Sequence, residues 1–320
     1  MSIGRTSLAI AVVLGGAVAL WMAFGLNRQG PVAHCPLPPE GETDGPAGMI
    51  FIRGGSFSMG SEEFYADEAP VRRAEVGSFW IDRTEVTNRQ FTEFVAATGY
   101  VTVAERGVEG VVPPGAAVFA LPDDSRPEGR WLYREDANWR RPEGGGSSIE
   151  GREAYPVVQV AYEDALAYAR WKGRSLPTEA QWEYAARGGL DGATYAWGDE
   201  LTPDGTWRAN NWQGLFPFYD EGADGFVGRA PVGCYPPNGY GLYDMIGNVW
   251  EWTRDPYDRT SGTGTPTGVM KGGSFLCAAN YCGRYRPAAR HPQELNLGTG
   301  HIGFRTVLNV PADAAETTAN

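Results

Sequence analysis

The stretch of sequence that decides the fold is PPNGYGLYDMIGNVWEWTRD, at residues 236–255. Glycine and asparagine recur in it as they do in tight turns, and two tyrosines and two tryptophans stand between them. Side chains of this size bury a large apolar area, so a few of them can anchor an irregular backbone to a core. The stretch therefore predicts a turn-rich chain held by packed aromatic side chains, which are Tyr240, Tyr243, Trp250 and Trp252.

The composition of the 320-residue chain extends this prediction to the whole protein. It contains 44 glycines, 23 prolines, 11 tryptophans and 15 tyrosines, which is typical of a fold with many loops and large aromatic anchors. Hydrophobic residues make up 42% and charged residues 21%, so the chain can bury a sizeable core. We predict an α+β fold with a low content of regular secondary structure.

Three helices are predicted, over residues 87–99, 162–173 and 178–189. A Thr-x-x-Gln capping box opens the first and the third, glycine follows each of the three, and apolar side chains recur at helical spacing. Short strands are predicted on both sides of a glycine turn within residues 49–60, and again near residues 303–308. The sequence shows no internal repeat and no second domain boundary.

Charge and scarce residue types exclude several classes of protein. The formal net charge of −12 argues against a nucleic-acid partner, which requires a basic face. The histidines are His34, His291 and His301. A three-histidine zinc centre therefore cannot form in the folded domain, and an iron site of two histidines and one carboxylate could use only the last two.

The N-terminal region has the pattern of an export signal. Ser7–Leu26 is an uncharged, mostly apolar span of twenty residues between Arg5 and Arg28, long enough to cross a bilayer as a helix. A cleaved signal peptide is the alternative, because Ala17-Val18-Ala19 resembles a cleavage site. Both interpretations place the bulk of the protein in the periplasm or another extracytoplasmic space. We favour an uncleaved anchor in the inner membrane.

The chain is accordingly divided into four segments. Residues 1–26 form the signal-anchor or signal peptide, residues 27–48 a linker rich in proline and glycine, residues 49–310 the folded domain, and residues 311–320 a disordered tail. Contact with the membrane is expected through the N-terminal segment only.

Two cysteines in KGGSFLCAANYCGRYRPAAR, at residues 271–290, are the first candidates for chemistry. Five positions separate side chains by about 140° on a helix and place them on opposite faces of a strand, so Cys277 and Cys282 converge only across a bend. Nearby Arg284, Arg286 and Arg290 favour thiolate over thiol. Converging thiolates suit a soft ion such as Cu(I), or a redox disulfide. The alternative is two inert buried cysteines or a structural disulfide.

Oxygen donors form a second group of candidates, between ANNWQG at residues 209–214 and DEGADGF at residues 220–226. Such donors suit a hard cation, although the spacing is not that of an EF-hand, and a solvated acidic loop is the alternative. Glu251 stands between two tryptophans and, if it is buried, needs an arginine or a metal ion as its partner. The donors of the loop are Asn210, Asp220, Glu221 and Asp224.

Several blocks of the sequence occur in an order that is familiar from one enzyme family. They include MIFIRGGSFSMG, LPTEAQWEYAARGG and PPNGYGLYDMIGNVWEWT, and they extend over Met49 to Leu308. With them, the chain resembles the formylglycine-generating enzymes of the sulfatase-modifying factor family. Most blocks mark only the wider family, which includes members with other activities. The discriminating feature is the pair Cys277 and Cys282 within GGSFLCAANYCGRYR.

The resemblance implies a fold related to C-type lectins and an activity on polypeptides. The implied reaction is the O2-dependent oxidation of a cysteine in a CxPxR-type segment of an unfolded sulfatase to Cα-formylglycine, supported by a thiol reductant. It implies that Cys277 and Cys282 bind Cu(I), and that Ser274 and Tyr281 beside them take part in catalysis. The segment at residues 106–135 diverges most and is expected to help line the peptide groove. We expect a monomer.

The resemblance also implies two structural Ca2+ sites built from oxygen donors. The first combines two side chains and two backbone carbonyls, namely those of Asn210 and Asp224 and those of Asn211 and Phe226. The second combines three carbonyls with one carboxylate, namely those of Asp244, Gly247 and Val249 and that of Glu251.

The chain departs from the family in its cysteines. Animal members have two structural disulfides, and Ala169 with Thr306 and Ala186 with Pro287 stand at the matching positions here. The fold is therefore expected to rely on packing and calcium, and Cys234 is expected to be a buried free thiol.

Two other functions stay open at this point. A relative could act on another thiol or on a small molecule, which the cysteine pair disfavours. Alternatively, the chain could be a non-catalytic, lectin-like binding module that retains the scaffold.

Overall fold

The computed structural model describes residue 35 and residues 45–124, 127–257 and 264–311. The described residues form four α-helices, one 3-10 helix at Pro203–Gly205 and thirteen strands. The helices are α1 (Asn88–Thr98), α2 (Val103–Arg106), α3 (Tyr162–Trp171) and α4 (Glu179–Arg187). Short elements joined by long irregular segments confirm the predicted α+β class with little regular secondary structure.

The three predicted helices are confirmed, although α3 ends at Trp171, two residues before the predicted Gly173. At the start of α1, the Thr87 hydroxyl accepts a hydrogen bond from the Gln90 N–H, and the Gln90 side chain accepts one from the Thr87 N–H. Gly99 ends α1 in the left-handed conformation, with φ 68°. Helix α4 repeats the capping box and the left-handed glycine. Helix α2 was not predicted, because its capping box opens only four residues, too few to show an apolar period.

Two sheets carry most of the strands. The three-stranded sheet is antiparallel, in the order β1 (Met49–Ile52), β4 (Phe79–Asp82) and β13 (Val307–Asn309). The four-stranded sheet has the order β11 (Arg290–Glu294), β10 (Thr267–Lys271), β9 (Trp250–Pro256) and β12 (Ile302–Gly303), with β12 parallel to β9. The last two strands in the sequence, β12 and β13, therefore each form one edge of these two sheets.

Three antiparallel hairpins add the remaining strands. They are β2 (Gly55–Met59) with β3 (Arg72–Val76), β5 (Ala116–Ala120) with β6 (Arg130–Arg134), and β7 (Gly214–Leu215) with β8 (Tyr219–Asp220). The two strands predicted within residues 49–60 exist, but β1 pairs with β4 and β2 pairs with β3.

Aromatic side chains form the centre of the core, as the sequence predicted. Phe91 of α1 is fully buried, and its ring centroid lies 5.3 Å from Phe94, 5.1 Å from Trp139, 6.1 Å from Tyr168 of α3 and 6.4 Å from Phe304. Most of these contacts are edge-to-face, the arrangement that aromatic quadrupoles favour. This cluster packs α1 and α3 against the chain segments that lead into the four-stranded sheet.

The expectation that Cys234 is a free thiol is wrong. Cys234 forms a disulfide with Cys35, 199 residues earlier in the chain. Disulfides persist in oxidising compartments and are rare in reducing ones. The bridge is typical of a protein that folds outside a reducing cytosol, and it ties residue 35, within the predicted linker, to the folded domain.

The predicted span Ser7–Leu26 and the tail after residue 311 lie outside the described residues. Within the part of the chain that the structure describes, no helix has the length and apolar character needed to cross a membrane.

Candidate active site

Cys277 and Cys282 lie on a turn that follows strand β10. Their Sγ atoms are 2.8 Å apart, and neither cysteine is in a disulfide. The bend between them is closed by Ala278, whose carbonyl accepts hydrogen bonds from the N–H groups of Tyr281 (3.1 Å) and Cys282 (2.9 Å). The predicted bend is thus confirmed, and it brings both sulfurs to one side.

The two thiols are electrostatically unequal. Burial raises the pKa of Cys277 well above the ordinary value, and the hydrogen bond with Cys282 raises it further. The pKa of Cys282 is lowered, first by the hydrogen bond from Cys277, and then by the Arg284 N–H and the charges of Arg284 and Arg286. A proton shared by the pair is therefore held more tightly by Cys277, and Cys282 has the greater thiolate character.

The arginines after the pair have carboxylate partners of their own. Arg284 Nη1 lies 3.1 Å from Asp67 Oδ1, and Arg286 makes a doubly hydrogen-bonded, buried pair with Glu68. Arg290 donates to Glu179 (3.1 Å). Because these charges are largely compensated, direct hydrogen bonds outweigh the arginines in setting the thiolate character of Cys282.

A cavity of about 740 Å³ opens beside the two sulfurs. Both cysteines, Ser274 and Tyr281 line it, so the structure brings together all four residues that were predicted to be catalytic. Tyr281 is exposed, and its ring stacks on Phe216 at 4.3 Å. The other aromatic and histidine side chains that line it are Tyr65, Phe119, Trp131, Phe216, Trp250, His291 and His301.

The sequence indicated His301 only as a possible iron ligand together with His291, and not as a neighbour of the cysteine pair. Its Nδ1 lies 3.4 Å from the Oγ of the fully buried Ser274, which in turn hydrogen-bonds Cys277. Burial lowers the pKa of His301 to about 3, with His291 adding to the effect, so the imidazole is neutral at physiological pH. No local pattern marks this residue, since its contact with Ser274 joins positions 27 apart.

Phe119 and Trp131 belong to the divergent segment at residues 106–135, which was expected to line the substrate groove. They lie on β5 and β6, and their rings are 5.4 Å apart. Phe119 also stacks on Phe216 at 5.3 Å. A row of aromatic rings thus leads from this hairpin to Tyr281, and the segment lines the cavity as expected.

Asp224 is the centre of the first predicted calcium set. Its Oδ2 accepts from the Asn211 N–H (3.0 Å) and from Gln213 Nε2 (2.7 Å), and its Oδ1 accepts from the Phe226 N–H (3.0 Å). Gln213 Nε2 also donates to the Asn211 carbonyl. Two of the predicted ligand oxygens, one carboxylate and one carbonyl, therefore converge on the same amide nitrogen.

Two further observations fit a cation at this place. Asn211 Oδ1 is buried without a hydrogen-bond partner, and burial raises the pKa of Asp224. Asn210 donates through Nδ2 to the Gly228 carbonyl (2.9 Å) and to Asn248 Oδ1 (3.0 Å). These two bonds fix the orientation of the amide through its nitrogen, and the side-chain oxygen, which is the predicted ligand atom, takes no part in them. Asp220 and Glu221, the other two donors singled out in this loop, are not in the ligand set that the resemblance implies.

Glu251 is buried and has an arginine as its partner. Arg305 donates through Nη2 to Oε1 (2.7 Å) and through Nε to Oε2 (2.8 Å), while Trp182 Nε1 donates to Oε2 (2.8 Å). Of the two partners that the sequence left open, the structure therefore shows the arginine. Arg305 also donates to the Asp244 carbonyl (3.5 Å), another predicted ligand of the second set.

Negative charge nevertheless exceeds positive charge around Glu251. Glu85 Oε2 is buried without a hydrogen-bond partner, and the pKa of Glu85 is raised well above its ordinary value by burial, by Asp244 and by Glu251. Burial also raises the pKa of Asp244 to about 6. A divalent cation would offset this excess, and a carboxylate has lone pairs for both an arginine and a metal ion, so the second set also fits calcium.

Side chains alone do not make up either predicted calcium set. Within residues 45–124, 127–257 and 264–311, no group of three or more histidine, cysteine, aspartate or glutamate side chains is arranged to hold a metal ion. Both calcium sets depend instead on amide and backbone carbonyl oxygens, which Ca2+ accepts readily.

Comparison with known proteins places this fold and site in one family. Residues 36–310 match the sulfatase-modifying factor enzyme 1-like domain, and the chain belongs to this family. The formylglycine-generating enzyme of Mycobacterium tuberculosis is 51% identical, over 82% of this chain and 97% of that protein.

Two further comparisons show that similarity in sequence or fold does not by itself establish enzymatic activity. A bovine protein named inactive C-alpha-formylglycine-generating enzyme 2 is 39% identical, over 80% of this chain and 86% of its own. PvdO of Pseudomonas aeruginosa, a solved structure, is 24% identical with a TM-score of 0.57, over 82% of this chain and 94% of its own. The latter shows that the fold is shared, and it carries no information on activity.

Proposed function

We propose that this protein oxidises a cysteine in a CxPxR-type segment of an unfolded sulfatase to Cα-formylglycine, the activity for which its relatives are named. The observation that supports this most directly is the pair of unbonded sulfurs of Cys277 and Cys282, 2.8 Å apart beside the cavity. At about 740 Å³, the cavity is in the range that holds a drug-sized molecule. It can therefore receive several residues of an extended polypeptide around one cysteine.

Cys277 and Cys282 would hold Cu(I). Two thiolate sulfur donors suit a soft monovalent ion rather than Mg2+ or Ca2+. When bound, the ion supplies redox chemistry with O2 and a coordination position for the thiolate of the substrate. The lowered pKa of Cys282 fits this role, because the thiolate is the metal-binding form of cysteine.

The proposed reaction balances with O2 as oxidant and a thiol as reductant. The substrate –CH2–SH group loses its carbon–sulfur bond and one Cβ hydrogen and gains a carbon–oxygen double bond. One O2 and two reductant thiols are consumed, and the products are the aldehyde, H2S, one disulfide and one water. Four electrons reach O2, two from the substrate cysteine and two from the reductant.

The chain's own residues hold the reactants and their protons. Ser274, buried between Cys277 and His301, keeps the Cys277 thiol oriented by a hydrogen bond. His301 stays neutral, so one of its two ring nitrogens is available as a hydrogen-bond acceptor inside the cavity while the other donates. Tyr281 and Phe216 form an aromatic edge at the cavity, which fits the apolar parts of a peptide.

Two further parts of the proposal concern calcium and location. We assign Ca2+ a structural role at the two sets of oxygen donors centred on Asp224 and Glu251. We assign the protein to the periplasm or another extracytoplasmic space, anchored through residues 1–26, with unfolded exported sulfatases as substrates. The Cys35–Cys234 disulfide supports an oxidising location.

The function is tested with a CxPxR peptide, Cu(I), O2 and a thiol reductant. Mass spectrometry should show the mass decrease of thiol-to-aldehyde conversion for the wild type, and no conversion for Cys277→Ser or Cys282→Ser. The double variant Cys35→Ser with Cys234→Ser is the control, because it removes two sulfurs that do not line the cavity and leaves no unpaired thiol behind; it should keep turnover while the protein remains folded. An active Cys282→Ser variant, or a wild type that leaves the peptide unchanged, would contradict the proposal.

A further inference from the structure

The residue after Cys282 is fixed on both of its peptide groups by side chains. Tyr65 Oη accepts a hydrogen bond from the Gly283 N–H (3.0 Å), and Arg286 Nε donates to the Gly283 carbonyl (2.9 Å). Tyr65 lies 218 positions earlier, in the connection between β2 and β3. Cys282 itself lies on no helix or strand, so its position depends on what holds its neighbours.

The segment that carries Tyr65 is tied to the same stretch by ion pairs. Glu68 accepts from Arg286 at both oxygens (2.6 and 2.7 Å), and both side chains are buried. Asp67 accepts from Arg284 at both oxygens (3.1 Å each). The Arg286–Glu68 pair uses two guanidinium nitrogens, an arrangement that is directional as well as strong, whereas Arg284 reaches both Asp67 oxygens through Nη1 alone. The segment Phe64–Glu68 is therefore held in one register against the cysteine turn.

Aromatic contacts complete this clasp, by which we mean the segment Phe64–Glu68 with the arginines that it binds. The Arg284 guanidinium lies 3.8 Å from the centre of the Tyr65 ring, and that of Arg286 lies 3.6 Å from the centre of the Phe64 ring. Tyr65 also lines the cavity. The Tyr65 ring is therefore held independently of its hydroxyl, which leaves the hydroxyl to act on Gly283.

We propose that Tyr65 is a positioning residue for Cys282. Its hydroxyl holds the Gly283 N–H and thereby keeps Cys282 Sγ on the same side of the turn as Cys277 Sγ, as a site built from both sulfurs requires. The identity of the bound ion, Cu(I), is taken from the proposed function. The positioning role of Tyr65 follows from the hydrogen bonds and ion pairs described above. The clasp would therefore fix the position of Cys282, which lies on no helix or strand.

The test is Tyr65→Phe, which removes one oxygen atom and leaves the ring in place. The matched control is Tyr184→Phe, at a tyrosine of α4. It removes a hydroxyl that donates to the Arg53 carbonyl (3.2 Å). We expect Tyr65→Phe to lower the affinity for Cu(I), measured by competition with a chelator, by about fivefold, the effect of one hydrogen bond. It should also lower kcat with little change in KM for the peptide, while the control changes neither.

Two measurements without metal separate this inference from the proposed function. Amide hydrogen exchange at Gly283 should be faster in Tyr65→Phe than in the wild type, and alkylation of Cys282 by iodoacetamide should be faster too. If the wild type bound no Cu(I), the copper proposal would fail and these two rates would still decide the role of Tyr65. Unchanged exchange and alkylation in a folded Tyr65→Phe protein, or an unchanged Cu(I) affinity, would overturn the inference.

Discussion

The chemistry of the site depends on a difference between two residues of the same type. Cys277 is buried and keeps its proton, whereas Cys282 receives hydrogen bonds from Cys277 and from the Arg284 N–H. The sequence identified both cysteines and the bend between them. It could not rank them, because the ranking depends on burial and on distant partners, such as Asp67, which lies 217 positions before Arg284.

This difference predicts the order in which the thiols react. At pH 7, without metal, iodoacetamide should label Cys282 before Cys277, because thiolate is the nucleophile and its fraction is larger where the pKa is lowered. The rate at Cys282 should rise with pH around a midpoint below the ordinary thiol value, and that at Cys277 only well above it. Peptide mapping of partly alkylated protein measures both rates, and faster labelling of Cys277 would contradict the assignment of the thiolate.

At the scale of elements, the sequence predicted what short-range signals determine. Capping boxes and following glycines identified α1 and α4, because both signals lie at the ends of the helix itself and depend on no residue far away in the sequence. Strand pairing was not predicted, since β12 joins β9 in parallel and β13 joins β4 from the far end of the chain. Pairings of this kind are set by tertiary packing and leave no local pattern.

One buried carboxylate joins two helices and predicts a pH dependence of stability. Asp164 Oδ2 accepts from the Ala161 N–H (2.8 Å) at the start of α3, and Oδ1 accepts from the Val103 N–H of α2 (2.9 Å) and from the Tyr100 hydroxyl (3.0 Å). Burial raises the pKa of Asp164 from 3.8 to about 6. The folded state therefore binds more protons than the unfolded state between these two values.

It follows that stability falls as pH rises through this window. The loss from this group should approach about 3 kcal/mol by pH 7, since one pKa unit corresponds to about 1.4 kcal/mol. Urea unfolding at pH 4 to 7 should show the decrease, and it should be smaller in Asp164→Asn, whatever that variant's overall stability. Glu163→Gln is the control, because Glu163 is exposed and pairs at the surface with Arg106. An unaltered slope in Asp164→Asn would show that Asp164 does not titrate in this range.

At the scale of the whole molecule, long-range links hold irregular segments. The Cys35–Cys234 disulfide joins positions 199 apart, and Arg305 joins Glu251 to the Asp82 carbonyl. Composition predicted that aromatic packing would stabilise such a chain, and the core around Phe91 confirms it. Which cysteines pair, and which arginine meets Glu251, depends on contacts between residues far apart in sequence, so neither could be predicted.

Calcium should add to these links if the two proposed sets bind it. Ligand that binds only the folded state stabilises it by mass action, by about 2.7 kcal/mol at a hundredfold excess over Kd. Treatment with EGTA should therefore lower the melting temperature by several degrees, and added Ca2+ should restore it.

The two sets can be distinguished by variants of a single loop, since the first is centred on Asp224 and the second lies on another segment. Asp224→Asn should reduce the effect of EGTA, whereas Asp220→Asn, a neighbouring carboxylate outside the proposed ligand set, should not. Cysteine chemistry does not use these oxygens, so the calcium-free protein should keep its activity at temperatures where it remains folded. An unchanged melting temperature in EGTA, together with the absence of calcium by elemental analysis, would contradict both sites. Arg305 would then be the cation that offsets the buried carboxyl groups of Glu85 and Asp244, whose pKa values it lowers against the effect of burial.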